Sequence, residues 1–103
     1  MLVLACIPAY NEEKNIRKLV SDCLKQVDKV VVCDDGSTDL TKKEATDAGA
    51  FVISHSQNKG KGAALKSLFE YVKHSDADII VTIDGDGQFI PEEIPKLTKD
   101  IED

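Results

Sequence analysis

The sequence predicts an α/β fold: a Rossmann-like parallel sheet of four strands, order 3-2-1-4, with helices on both faces. Three observations predict it. Short runs that are apolar at nearly every position alternate with segments whose apolar residues recur every three or four positions. A strand apolar on both sides must be covered on both sides, which is the condition of a parallel sheet between helices. The unusual polar residues all fall just after the apolar runs, at the carboxyl ends of the expected strands.

The elements follow in order. "LVLACI" (2–7) is the first strand and ends at Pro8. A helix is expected to start at Asn11 as N-cap, with Glu12 and Glu13 suiting the positive end of its dipole. Its inward positions are Ile16, Leu19, Val20, Cys23, Leu24 and Val27. "KVVVCD" (29–34) is the second strand, and "DDGSTD" then leads through a Ser37-Thr38-Asp39 cap cluster into a short helix around 40–48, closed by Gly49. "AFVIS" (50–54) is the third strand. The loop "HSQNKGKG" uses Gly60 and Gly62 to turn into a helix with Ala64, Leu65, Leu68, Phe69 and Val72 on one face. "DIIVTID" (78–84) is the fourth strand, and a last helix carries Ile94, Leu97 and Ile101, its regular part following Pro95. Right-handed crossovers favour the order 3-2-1-4, which reverses direction between strands 1 and 4 and opens a crevice there.

Size and charge narrow the function classes. At 103 residues and 11.3 kDa the chain is one domain, 1–103. Nineteen acidic against 13 basic residues give a net charge of −6, which argues against nonspecific binding to nucleic acid or anionic membranes, both of which need a basic face. No apolar run approaches the roughly 20 residues needed to cross a bilayer, and no signal peptide follows Met1. Cys6, Cys23 and Cys33 are odd in number and set in apolar stretches, so they read as small core residues of a cytoplasmic, reducing compartment.

Four loops carry the chemistry: "PAYNE" (8–12), "DDGSTD" (34–39), "NKGKG" (58–62) and "DGDGQ" (84–88). Acids selected for solubility would scatter, whereas these gather on one rim of the sheet. Asp84 and Asp86, set about 5 Å apart at an effective dielectric near 20, repel each other by about 3 kcal/mol. A lone D-x-D also describes an ordinary acidic turn. Here it ends an apolar strand, precedes Gln88, and is flanked by Gly85 and Gly87, which suits oxygen coordination of Mg²⁺ or Mn²⁺. Competing motifs fit less well. A calcium loop from Asp84 has Phe89 and Pro95 where glycine and glutamate belong. "GKGAAL" from Gly60 lacks the third small residue of a dinucleotide fingerprint, and no P-loop exists. The D-x-D of haloacid dehalogenase-type phosphatases normally closes the first strand, not the fourth. His55 has no acid or nucleophile partner identifiable in the sequence, and His74 sits at a helix end, so neither supports Ser/His/Asp chemistry.

Together, "IPAYNEEKNI", "VVVCDDGSTDLT", "NKGKGAAL" and "DIIVTIDGDGQFIPEEI" resemble the N-terminal, nucleotide-sugar-binding half of family 2 glycosyltransferases of the GT-A fold. The dolichyl-phosphate mannosyltransferase and polyprenyl-phosphate glycosyltransferase group is the most similar. The resemblance implies a nucleoside-diphosphate sugar donor lined by Pro8, Tyr10, Glu12, Val32, Asp34, Asp35, Asp84, Gly85 and Asp86. It places Tyr10 on the base, Glu12 on the ribose, Mg²⁺ or Mn²⁺ on Asp86 and Gln88, and Asp84 on the ribose or in the metal shell. Lys59 and Lys61 stay open between phosphate contact and plain solvation. The implied reaction transfers a hexose, with inversion, to an acceptor such as a polyprenyl or dolichyl phosphate at the cytosolic membrane face. A non-catalytic nucleotide-binding module is the alternative, and a D-x-D phosphatase a more distant one. The family's acceptor-side half would lie beyond Asp103, so no catalytic residue is assigned, and the exposed sheet edge is expected to permit a homodimer.

Overall fold

The computed structural model describes residues 1–83. The expected last helix and the loop carrying Asp84, Gly85, Asp86 and Gln88 lie outside the described residues. Seven elements run β1 (Val3–Ala9), α1 (Ile16–Leu24), β2 (Lys29–Asp34), α2 (Thr41–Asp47), β3 (Phe51–Ser54), α3 (Lys61–Lys73) and β4 (Ile79–Thr82). The strands form one parallel sheet in the order β3-β2-β1-β4, as the apolar pattern predicts.

Alternation along the central strands explains the two layers. Ala5, Ile7 and Ala9 of β1, with Val30 and Val32 of β2, meet Ile16, Leu19, Val20 and Cys23 of α1 and Ala45 of α2. The intervening Leu4, Cys6, Val31 and Cys33 point the other way, onto Ala64 and Leu68 of α3. Each fully buried Leu, Ile or Val contributes roughly 1.5–3 kcal/mol of transfer free energy, so both faces are held by the same physical term.

Register places the rim. β1 pairs with β2 from Leu4–Lys29 to Ala9–Asp34, whereas its described pairing with β4 runs from Val3–Ile79 to Cys6–Thr82. Cys6 C=O accepts from Ile83 N–H on the β4 side, and Ala9 C=O accepts from Asp35 N–H on the β2 side. Hydrogen-bonding direction alternates along a strand, so the nitrogen of Pro8 faces β4. A proline therefore sits in a central strand without removing a bond from the β1–β2 ladder.

Three local expectations are corrected. α1 starts at Ile16 with Asn15 as N-cap, not at Asn11. Asn11 instead takes φ 52°, a left-handed conformation that asparagine tolerates, and spends its side chain on the neighbouring loop. Leu40 occupies the N-cap of α2, and of the expected cap cluster only Asp39 acts as a cap, its Oδ1 accepting from Thr41 N–H at 2.9 Å. Phe69 is 49% exposed, on the outer side of α3, while Leu65, Tyr71 and Val72 pack against the sheet. Gly49 closes α2 as expected, with φ 110°, its own N–H on Thr46 C=O and Ala50 N–H on Ala45 C=O.

Candidate functional site

The loops after β1 and β2 are sewn together residue by residue. Asn11 N–H donates to Ser37 Oγ at 2.9 Å, and Asn11 Oδ1 accepts from Thr38 N–H at 2.9 Å. Glu12 N–H donates to Thr41 Oγ1 at 2.8 Å; Thr41 is fully buried and in turn donates its hydroxyl to Asp39 Oδ1. Glu13 N–H donates to Asp39 Oδ2 at 3.3 Å, and Glu13 Oε2 accepts from Leu40 N–H at 3.2 Å. Burial alone would raise the Asp39 carboxyl; hydrogen bonds from Thr41 and from backbone N–H groups outweigh it and hold the group below the usual range.

The predicted site residues lie along this seam. Pro8 is buried at the end of β1, Tyr10 is 45% exposed immediately beyond it, and Glu12 is half-buried with its Oε2 accepting from Asn15 Nδ2 at 3.3 Å. Val32 is fully buried, its side chain belonging to the core layer under α1. Asp34 is 5% exposed at the tip of β2, its Oδ1 accepting from Ser37 N–H at 3.1 Å. Lys59 and Lys61 have exposed side chains.

Asp35 has the densest set of partners. Its Oδ1 accepts from Lys59 N–H at 2.9 Å and lies 2.8 Å from His55 Nδ1, and its Oδ2 accepts from Gly60 N–H at 2.8 Å. Desolvation pushes this carboxyl up, but the His55 and backbone hydrogen bonds prevail and lower it. The expectation that His55 lacks an acid or nucleophile partner is therefore corrected. Its Nδ1 faces Asp35, and its Nε2 lies 2.8 Å from Ser67 Oγ and 3.7 Å from Cys33 Sγ. Asp35, Ser67 and Cys33 are 20, 12 and 22 residues away in the chain, and no local pattern in the sequence signals them.

Loops after three strands thus meet at one rim. Gly36 (φ 73°) lies against the main chain of Gln57 and Asn58, and Asp34 C=O accepts from His55 N–H. Asp84, Gly85, Asp86 and Gln88 are outside the described residues, the last of which, Ile83, is hydrogen-bonded to the central strand. Among the described residues no three His, Cys, Asp or Glu side chains are placed to hold a metal ion. Cys6, Cys23 and Cys33 are buried, and none is in a disulfide. Burial pushes the thiols of Cys6 and Cys33 up to about 11, with Asp35 and Asp34 adding to the effect at Cys33, so neither is a nucleophile at neutral pH. What the rim offers a ligand is an exposed aromatic ring and carboxylates that accept hydrogen bonds.

The sequence pattern described as glycosyl transferase family 2 matches residues 4–103. The chain belongs to glycosyl transferase family 2. It is 34% identical, over 97% of its length, to the UDP-N-acetylglucosamine–dolichyl-phosphate N-acetylglucosaminyltransferase of Methanococcus voltae, of which it covers 47%. It is 37% identical, over 95% of its length, to an undecaprenyl-phosphate 4-deoxy-4-formamido-L-arabinose transferase of Aeromonas hydrophila, covering 33% of that protein. The chain therefore spans less than half the length of these family members. Among solved structures, glucosyl-3-phosphoglycerate synthase of Mycobacterium tuberculosis, crystallised with Mn²⁺, uridine diphosphate and glucosyl-3-phosphoglycerate, superposes with a TM-score of 0.79 at 31% identity, over 97% of this chain and 39% of that one. The α/β architecture and strand order are those of the GT-A glycosyltransferases. No helix among the described residues is long and apolar enough to cross a membrane.

Proposed function

We propose that this chain forms the donor-binding part of a glycosyltransferase that moves a hexose from a nucleoside-diphosphate sugar, of the GDP-mannose or UDP-glucose type, to a polyprenyl or dolichyl phosphate. The observation that carries the reading is the seam itself. Tyr10 and Glu12 lie just after β1 and Asp34 ends β2, and hydrogen bonds from main-chain N–H groups to side chains hold these segments at one carboxyl-end rim. The Methanococcus and Aeromonas relatives, named for dolichyl-phosphate and undecaprenyl-phosphate acceptors, support the acceptor class.

In this reading Tyr10 stacks on the base. Glu12 and Asp34 accept hydrogen bonds from ribose hydroxyls or base N–H groups, with Pro8 and Val32 as the apolar floor. Asp35 supports the rim from behind. The oxygen donors for a cation are, in this reading, Asp84, Asp86 and Gln88. A Mg²⁺ or Mn²⁺ held there would supply charge neutralisation for the departing diphosphate. The acceptor phosphate is already an anion, so a strong general base is not required, and attack opposite the leaving group gives inversion. The lipid acceptor sets the working place at the cytosolic face of a membrane.

Titration with GDP and UDP, with and without Mn²⁺, tests the reading. Metal-dependent binding of one of them, weakened by Asp86→Ala and by Asp34→Ala, is the expected result. Equal binding of simple phosphate esters, hydrolysed in an Asp84-dependent way, would replace the donor site with a phosphatase. Nucleotide binding by a protein that never transfers sugar to a polyprenyl phosphate would leave a binding module only.

A further inference from the structure

Asp35, His55 and Ser67 form a hydrogen-bonded chain, and the donor reading uses neither His55 nor Ser67. The two links are each 2.8 Å, and the side chains of His55 and Asp35 are 9% and 5% exposed. In outline this is the acid–imidazole–hydroxyl series of a nucleophilic triad. Its setting argues for another role. Ser67 lies in the interior of α3, where backbone N–H groups are consumed by the helix ladder, so no pair of donors is free to stabilise an oxyanion beside it.

The other bonds of the same residues point to the rim. Asp35 accepts the N–H groups of both Lys59 and Gly60, and so anchors the loop between β3 and α3. Its own N–H is held by Ala9 C=O, and the preceding carbonyl, that of Asp34, is held by His55 N–H. The peptide between Asp34 and Asp35 is therefore held by β1 on one side and by the main chain of His55, whose ring bonds Asp35, on the other. A carboxylate only accepts, so His55 Nδ1 must carry a proton toward Asp35, and Nε2 is left to Ser67.

We propose that Asp35, His55 and Ser67 act as a positioning relay: Ser67 orients the His55 ring, the ring orients the Asp35 carboxylate, and Asp35 fastens the 55–60 loop to the tip of β2 so that Asp34 is presented to the donor. The proposal rests on the donor reading for its consequence, not for its geometry. His55 and Ser67 are positioning residues and touch no reacting atom.

Amide hydrogen exchange on the whole protein tests the geometry without any ligand. Protection at Lys59 and Gly60, well above that at Gln57 and Asn58, is expected; equal exchange at all four would overturn the relay. UDP and GDP binding then tests the consequence. Partners that orient a ligating group are worth about 10–100-fold, and His55→Gln, which loses the Asp35 bond, is expected to weaken nucleotide binding about tenfold and to deprotect Gly60. His55→Asn, whose amide nitrogen can replace Nδ1, should restore both. A purely structural ring would make the Asn and Gln variants alike, and that result overturns the proposal. Covalent labelling of Ser67 by a fluorophosphonate would do the same, in favour of a nucleophile. If the wild-type protein binds neither nucleotide, the donor reading fails, and the relay is decided by amide protection alone.

Discussion

Gly36 and Gly62 sit on either side of the same loop, yet substitution should move stability in opposite directions. Gly36 has φ 73°, and a Cβ there would run into the main chain of Gln57 and Asn58, which cannot swing aside as a side chain could. The left-handed backbone costs an alanine about 1–2 kcal/mol and overpacking adds about 1–3 kcal/mol, so Gly36→Ala should lower unfolding free energy by about 3 kcal/mol. Gly62 is helical, and nothing lies within 4 Å of the Cβ it would gain. Gly62→Ala should raise stability by about 0.4–1 kcal/mol, chiefly by restricting the unfolded chain. Urea denaturation of both variants checks the pair; a harmless Gly36→Ala would mean that the 55–60 loop does not close onto β2. The glycine spacing in "NKGKG" suggests two turn glycines, but only Gly60, with φ 98°, has the backbone that needs one.

At the scale of elements, α3 shows where sequence periodicity is decisive and where it is not. Leu68 is fully buried between α3 and the sheet, whereas its neighbour Phe69 is 49% exposed. Leu68→Ala should therefore cost about 2–5 kcal/mol, and Phe69→Ala should stay within about 0.5 kcal/mol; thermal denaturation of the two variants reads the difference. Equal losses would turn the helix by one residue position and restore the orientation read from the sequence. The strands were legible because each is apolar on both faces, and β2 has the same bounds, 29–34, in sequence and structure. The rim was legible because its acids follow those strands directly. Phe69 was misplaced because adjacent residues on a helix differ by about 100°, so a stripe of five apolar residues leaves its margin ambiguous. Asn11 and His55 were missed for a different reason. Their partners Thr38, Asp35 and Ser67 are distant in sequence, and only the parallel crossovers bring them together.

For the molecule as a whole, two effects of acidification oppose each other. The net charge of −6 repels itself, so adding protons should relieve some strain. Asp35 and Asp39, however, are held below the ordinary carboxyl range because direct hydrogen bonds from His55, Lys59, Gly60, Thr41 and Glu13 favour their charged forms over the desolvation that opposes it. An unfolded aspartate titrates at about 3.9. A group whose folded value lies lower binds fewer protons folded than unfolded, so its contribution is complete above that pH and is lost as pH falls toward the folded value. Surface repulsion acts through water and is screened within about 10 Å at 0.1 M salt, whereas the two aspartates act through direct, part-buried hydrogen bonds. The second effect should prevail. Unfolding free energy measured in urea should be nearly flat from pH 7 to about 5 and fall below about pH 4, with the fall persisting in added salt. Asp39→Asn should flatten part of that slope, since the amide cannot titrate while its oxygen still accepts from Thr41. A stability that rises on acidification, and loses that rise when salt is added, would show instead that the charge excess outweighs the carboxylates sewn into the rim.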